Sequence, residues 1–134
     1  MILTDAMAEL GDALQGIVGL RVFPYWVDSI EPPAAIVEFP DSYTFDETYG
    51  RGADRALVPL VVAVARVDTR SAGEQLAAYA AGAGARSIKQ AIEDHSYTAL
   101  DSARVTGIEF GALTVAGTEY LAATFTIDII GTGE

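Results

Sequence analysis

The sequence contains no cysteine, one histidine and one lysine among its 134 residues. Without cysteine the chain cannot form disulfides, thiolate metal sites or a thiol nucleophile. A lone histidine with no second metal-ligating partner is a poor metal site, and we interpret His95 as an ordinary residue at a helix end. No motif in the sequence carries chemistry, so we predict no catalytic residue, no metal site and no cofactor.

Basic residues are also scarce, with eight Lys and Arg against 19 Asp and Glu. The formal net charge of −11 argues against binding a nucleic-acid backbone, which requires clustered Lys and Arg. Seven of the bases lie in residues 51–104, whereas residues 1–50 hold nine acids and one base. This asymmetry either pairs a basic patch of one subunit with an acidic patch of its neighbour or belongs to a plain acidic surface.

Long apolar runs are missing as well. The longest, residues 56–65, contains Pro59 and is about half the length that a membrane helix requires. The N-terminal segment MILTDAMAEL carries acids where a signal peptide has a basic region. We therefore expect a protein made in the cytoplasm that does not enter a membrane. With 51% apolar residues, the chain suits one domain over residues 1–134.

Apolar spacing predicts two amphipathic helices. Residues 4–18 carry an apolar stripe at intervals of three and four, with Thr4 as the expected N-cap. Residues 71–93 predict the second helix, because Ser71 and Glu74 have the spacing of a capping box. The stripe on this second helix consists mostly of small side chains, which suits close packing against a sheet.

The remaining segments predict strands. Residues 21–27 and 34–39 predict a first strand pair, and Pro24 places its first member at an edge or a bulge. Residues 55–67 predict a central strand covered on both faces. Two arms, residues 104–115 and 119–130, predict a hairpin around the turn 116–118.

The second arm of this hairpin alternates with a period of two, which predicts one buried face and one polar face. Repeated β-helix-β units are absent from the element order. The fold class that we predict is therefore α+β, with a mainly antiparallel sheet and two helices packed on it.

Residues 41–54 (DSYTFDETYGRGAD) lack sustained periodicity and predict a long loop or a poorly packed hairpin. Long loops in compact domains are usually functional. The four acids of this segment include Asp54, but their spacing does not match a calcium loop. We interpret them as a solvated acidic loop.

Several runs together resemble one family. They are MILTDAMAELGDAL, AIVEFP, VPLVVAVARVDTRSAGEQLAAYAAGAGARSIKQAIEDH and VTGIEFGALTVAGTEYLAATFTIDIIG. In element order and segment composition the chain resembles the tail terminator (tail completion, or tail-tube capping) proteins of long-tailed bacteriophages over nearly its full length. The resemblance implies a virion structural protein, not an enzyme, that forms a homo-hexameric ring. That ring caps the tail tube, ends tube polymerisation and joins the tail to the head connector.

The resemblance also implies partners and a location. The expected partners are further copies of the chain, the major tail tube protein and the head–tail connector protein, at the head–tail interface of the virion. DNA would pass through the ring without specific binding, and an acidic wall would repel its phosphates. We expect the loop at 41–55 to reach the adjacent subunit or the tube, using aromatic anchors and arginines that meet acids of a partner. These inferred interface residues are Tyr43, Phe45, Tyr49, Arg51 and Arg55.

Two alternatives remain open on the residues alone. The first is a head-completion or connector protein of the head–tail joint. The second is a small-molecule-binding or enzyme domain whose polar site is built at an oligomer interface, since Asp and Glu alone can perform acid–base catalysis. A deep pocket with two carboxylates of perturbed pKa would favour the second alternative.

Overall fold

The computed structural model describes residues 2–23, 30–45 and 53–132 of the chain. Within these ranges the helices are α1 (Leu3–Leu14), α2 (Ala72–Ala80) and α3 (Ile88–Asp94). The strands are β1 (Arg21–Phe23), β2 (Ala34–Val37), β3 (Ser42–Thr44), β4 (Ala53–Arg66), β5 (Ser102–Val115) and β6 (Thr118–Thr132). The α+β fold class predicted from the sequence is confirmed.

The strands form one mixed sheet in the order β1-β2-β4-β6-β5, and β3 pairs with β4 beside β2. The pair β1–β2 is parallel, and the other pairs are antiparallel. The sheet is therefore mainly antiparallel, as predicted, and β4 is central. The strand predicted at 21–27 begins at Arg21 on an edge of the sheet, whereas residues 24–29 lie outside the described ranges.

Helix α1 confirms the first predicted helix, with corrected ends. Its N-cap is Ile2, which makes no side-chain cap, so Thr4 lies inside the first turn and is not the predicted N-cap. The helix ends at Leu14, four residues before the predicted end. The chain then turns, and Gly19 has a φ of +83°, a conformation that glycine adopts without steric cost.

The prediction of a single helix over 71–93 is wrong, because the described chain forms α2 and α3 there. Gly84 has a φ of +117°, which no right-handed helix accommodates. Ser87 then begins α3: its Oγ accepts the backbone N–H of Gln90 at 3.1 Å and donates to the carbonyl of Ala81 at 2.6 Å. This local capping starts a new helix, which gives three helices instead of two.

The three helices pack on one face of the sheet. Alternate residues of β4 and β6 face them, because successive strand side chains point to opposite faces. The fully buried side chains of this core include Leu10, Leu14, Leu60, Ile88, Ile92, Phe125, Ile127 and Ile129. Fully burying one such side chain stabilises the fold by about 1.5–3 kcal/mol.

The opposite face of the sheet, which carries no described helix, is less polar than predicted. Val61, Ala63, Val115, Tyr120 and Ala122 form a second buried cluster there. The predicted polar face of the second hairpin arm is therefore wrong at Tyr120 and Ala122, since β6 lies between two long strands whose side chains cover it. Residues 58–65 of β4 are buried on both faces, as predicted.

The hairpin predicted at the C-terminal end is confirmed as β5–β6. Its turn consists of Ala116 and Gly117, which have φ values of +51° and +80°. The predicted turn was one residue too long, because Thr118 already pairs with Val115. Two consecutive positive φ values are what a two-residue type I′ hairpin turn requires. No helix in the described part of the chain is long and apolar enough to span a membrane.

Candidate functional site

Two of the predicted interface aromatics lie in and directly after β3, which spans Ser42–Thr44. The hydroxyl of Tyr43 donates a hydrogen bond to Oδ2 of Asp54 at 2.7 Å. The ring of Phe45 lies 4.8 Å from the ring of Tyr43 and is 73% exposed. Tyr49 and Arg51 lie outside the described residues. Tyr43 is therefore hydrogen-bonded within its own chain. Phe45 is the predicted interface aromatic that this part of the described chain exposes to solvent.

The interpretation of the acids in residues 41–54 as solvated is wrong at Asp54, whereas Asp41 is exposed. Residues 42–44 pair with β4 as strand β3, which agrees with the alternative of an extended hairpin. Asp54 is only 5% exposed and accepts the hydrogen bond from Tyr43. A buried carboxylate requires such partners, so Asp54 serves the fold and not a solvated surface.

Arg55 forms a two-bond ion pair within its own chain. Its Nε donates to Oδ1 of Asp128 at 2.8 Å, and its Nη2 donates to Oδ2. The Asp128 side chain is 9% exposed, whereas that of Arg55 is 41% exposed. Asp128 of β6 thus occupies one edge of the guanidinium within the same chain, and the expectation that Arg55 meets an acid of a partner stays a prediction. The parallel geometry of the two bonds makes such a pair stronger than a single contact.

The aromatic and basic parts of the predicted site lie on different faces of the sheet. Tyr43 pairs with Ala56 in the ladder and points toward the helices. Thr44 pairs with Arg55, and both point toward the opposite face. The predicted residues that the structure describes therefore do not form one patch.

A second base lies beside the Arg55–Asp128 pair. Arg104 of β5 is the direct ladder partner of Asp128, on the same face as Arg55. Two arginines thus border one buried carboxylate, and Arg104 is exposed. The two arginines form a small basic patch on an acidic chain. This patch lies at the end of the sheet where β4 begins and β6 ends.

Strand β5 presents a site that sequence reasoning missed. It is the terminal strand of the sheet, so its outer edge has no neighbouring strand among the described residues. A β-bulge lies between Val105 and Gly107. Before the bulge, Ala103 and Val105 are buried against the helices; after it, most residues up to Thr114 are exposed.

The bulge marks where the helices stop covering β5. Glu93 at the end of α3 accepts the backbone N–H of Val105 at 3.0 Å, which ties this point of the strand to the helix layer. Beyond it, Phe110 points toward the helix side but is 63% exposed. An unpaired strand edge with an exposed aromatic residue is a template for pairing with another chain.

The signal for this edge was weak in the sequence. Residues 104–115 contain Gly107 and Gly111 and do not alternate as cleanly as the second arm. Glycines in a strand mark bulges and weaken packing, so they indicate an irregular arm. The pattern does not reveal which arm of a hairpin pairs with the rest of the sheet, because that depends on tertiary contacts.

Ladder partners connect the two edges of the sheet in continuous rows. One row runs through Arg21, Ala34, Ala63, Ala122 and Gly111, from β1 to β5. A second row, two residues further along β1, runs through Phe23, Ile36, Val61, Thr124 and Glu109. The described part of β1 therefore lies level with residues 109–111 of β5, the stretch that contains exposed Phe110.

Glu9 holds the segment between α3 and β5. Its carboxylate accepts the backbone N–H of Thr98 at 3.0 Å and also that of Ala99. Burial raises the pKa of Glu9, but the hydrogen bonds from these amides and the charge of His95 outweigh it, so that the pKa is lowered. His95 is the C-cap residue of α3 and packs its ring edge-on against Tyr97. The interpretation of His95 as a residue at a helix end is confirmed.

The described residues show little that resembles a reaction centre. Among residues 2–23, 30–45 and 53–132, no group of three or more His, Asp or Glu side chains is placed to hold a metal ion. A shallow, open depression of about 360 Å³ lies at the start of α2. Its lining residues are Thr69, Arg70, Ser71 and Glu74, and all four are exposed.

Comparison with known proteins adds no family, because no protein-family model matches the chain and no curated protein matches it in sequence. The fold itself defines the class: an α+β protein whose mixed sheet carries its described helices on one face. Within that class, the open edge of β5 is the feature that points to a function.

Proposed function

We propose that the protein is a tail terminator of a long-tailed bacteriophage. In this function it forms a ring on the tip of the tail tube, ends tube polymerisation and joins the tail to the head connector. The proposal rests first on the resemblance in element order and segment composition over nearly the full length of the sequence. In this function the protein lies at the head–tail interface of the virion, and its partners are the tube protein and the connector protein.

The observation that carries the proposal is the open edge of β5. Residues 107–114 combine exposed backbone, exposed Phe110 and a single charged side chain, Glu109. Monomeric proteins protect long edges with charged side chains, proline, β-bulges or a covering segment. This edge has a bulge at its start and one charge, Glu109, but residues 107–114 have no proline and no covering segment among the described residues, which favours a subunit that works inside an assembly.

Charge supports the same function. A ring through which DNA slides must not hold phosphate, and a net charge of −11 repels it. Arg55 and Arg104 border Asp128, whose negative charge offsets part of their positive charge.

The exposure of Phe45 supports a second contact with a partner. Phe45 follows β3, which pairs with β4 on the side of the sheet away from β5. It is 73% exposed, and its described ring contact is with Tyr43. Aromatic side chains of this kind dominate the energetics of protein interfaces once they are desolvated. We propose that Phe45 contacts the adjacent subunit or the tube ring below.

The test is the mass of the purified protein, alone and after mixing with the tail tube protein, together with the tube lengths that result. A hexamer, or a monomer that forms a ring on tube ends and halts elongation, is the expected result. Tubes that elongate normally in its presence would overturn the proposal. Binding to the connector protein without binding to tubes would instead identify a head-completion protein.

Phe45→Ala tests the partner contact, with Phe39→Ala as the matched control. Both rings are almost equally exposed, at 73% and 71%, so both substitutions remove the same surface with little loss of packing. We expect Phe45→Ala to weaken capping by about tenfold, a typical effect for an interface aromatic, and Phe39→Ala to leave capping unchanged. Equal effects of the two substitutions would contradict a specific contact at Phe45.

A further inference from the structure

We infer that the copies of the chain associate edge to edge, with β5 of one copy pairing antiparallel with β1 of the next, and with the strands running along the ring axis. The inference rests on the proposed ring in one respect, since it names the two edges that meet in it. It requires a second copy of this chain as the occupant of the β5 edge. The following observations select that occupant.

The two edges are complementary in direction. β1 runs parallel to β2, and β2, β4, β6 and β5 are successively antiparallel. β1 and β5 therefore run in opposite directions within one sheet. When a second copy continues the sheet in the same orientation, its β1 is antiparallel to the β5 that it meets. Antiparallel pairing is the more stable arrangement for two strands.

The two edges are also level with each other. Arg21 and Gly111 end one row of ladder partners, and Phe23 and Glu109 end another. All copies in a ring lie at the same height, so each row of one copy meets the same row of its neighbour. Such a contact joins unlike surfaces and closes only after several copies.

On the helix side, this register places Val22 opposite Phe110. Both occupy the row that contains Ala35, Val62 and Ala123. Phe110 is 63% exposed within one chain, and a neighbouring Val22 would cover it. Pairs of an aromatic and a β-branched residue across two strands stabilise a sheet.

On the opposite face, the register brings unlike charges together. Arg21 would face Gly111 of the next copy, with Glu109 as its diagonal neighbour two residues away. Diagonal neighbours are within reach of long side chains. Arg21 forms an ion pair with Glu31 of its own chain at 3.1 Å, but both side chains are more than half exposed, so this pair is weak and can exchange.

The test uses charge reversal at both edges. Arg21→Glu and Glu109→Arg, each alone, place like charges at every contact, and we expect each to weaken self-association by roughly fivefold per contact. Mixing the two variants in equal amounts restores association, because an alternating ring has an unlike pair at every contact. Arg70→Glu and Glu74→Arg are the matched controls, since they make the same charge changes away from both edges.

Phe110→Lys is the second variant. It places a charge on the β5 edge without removing a buried side chain, and we expect it to abolish association. Phe39→Lys is the control, and we expect Phe110→Lys to change the midpoint of unfolding no more than this control does. If copies associate only on tube ends, the same variants are measured by the fraction of capped tubes.

Each outcome decides between distinct conclusions. Association that survives Arg21→Glu but not Phe110→Lys would show a two-fold β5–β5 contact and overturn the inference. Failure of the mixed variants to recover, with both folded, would overturn it as well. Charge-dependent association without tube capping would uphold the edge pairing and refute the tail terminator function. Tube capping that is unchanged by all three substitutions would uphold the tail terminator function and refute the edge pairing.

Discussion

Glu93 of α3 accepts a hydrogen bond from the backbone N–H of Val105, 3.0 Å away, at the residue where β5 bulges. The side chain of Lys89, one helical turn earlier, donates to the same carboxylate at 2.6 Å. The hydrogen bond from Lys89 lowers the pKa of Glu93 against the opposing effect of burial, and the Val105 amide lowers it further. One carboxylate thereby fixes the point at which β5 leaves the helix layer.

Glu93→Gln is expected to reduce the free energy of unfolding by about 1 kcal/mol. The substitution removes the charge from the hydrogen bonds of Lys89 and Val105, and partial exposure of the site reduces the loss. Chemical denaturation measures the change. Asp94→Asn, which alters the same charge on the adjacent residue near the helix C-terminus, is the control and should leave stability unchanged or slightly raised. Equal losses in both variants would contradict a specific role for Glu93.

Glu9 and Glu38 are expected to change the pH dependence of stability in opposite directions. Burial raises the pKa of Glu9, but the amides of Ala99 and Thr98 and the charge of His95 lower it further than burial raises it. The ionised carboxylate therefore contributes fully to the free energy of unfolding above the unfolded pKa of 4.5. That contribution is lost as the pH falls through the lower folded pKa. Glu9→Gln should therefore destabilise the protein at neutral pH, and the difference from the wild type should vanish in acid.

Burial and the charge of Asp41 raise the pKa of Glu38 above 4.5. Its contribution is thus present below 4.5 and is lost as the pH rises through the folded pKa. Glu38→Gln should stabilise the protein at neutral pH and make little difference in acid. Unfolding curves from acid to neutral pH test both variants, and pH-independent differences from the wild type would contradict the assignment.

Arg55→Lys is expected to reduce the free energy of unfolding by about 1–2 kcal/mol, because lysine cannot form both hydrogen bonds to the buried carboxylate of Asp128. Arg66→Lys is the control: it makes the same change in the same strand, where the contact to Asp68 is 3.8 Å and exposed. A stable Arg55→Lys variant that fails to assemble would instead support the original expectation of a partner contact.

Ala116→Asn is expected to stabilise the hairpin turn by about 0.5–1 kcal/mol. Alanine pays a steric penalty at a φ of +51°, whereas asparagine tolerates this conformation and Asn-Gly is the preferred type I′ sequence. Thermal unfolding measures the gain. Gly117→Ala should have the opposite effect, since it forces a side chain into a φ of +80°. A loss of stability in Ala116→Asn would contradict the turn assignment.

Local patterns were enough to predict α1, the central place of β4 and the β5–β6 hairpin. The apolar stripe of α1 and the alternation of β6 repeat within a few residues, so the buried face can be read from spacing alone. The break between α2 and α3 was missed, although Gly82 and Gly84 marked it, because the apolar stripe continues across them. Capping by Ser87 outweighs that continuity.

By itself, then, the sequence determined the fold class and the elements whose periodicity is local. Tertiary structure decided which edges stay open and which charges pair: Asp128 lies 73 residues from Arg55, and Glu109 shares a row with Phe23 across four intervening ladder steps. Strand order and side-chain partners across a sheet depend on contacts between distant segments, which leave no periodic trace in either segment. For this reason Tyr43 and Arg55 looked like one surface in the sequence and lie on opposite faces of the sheet.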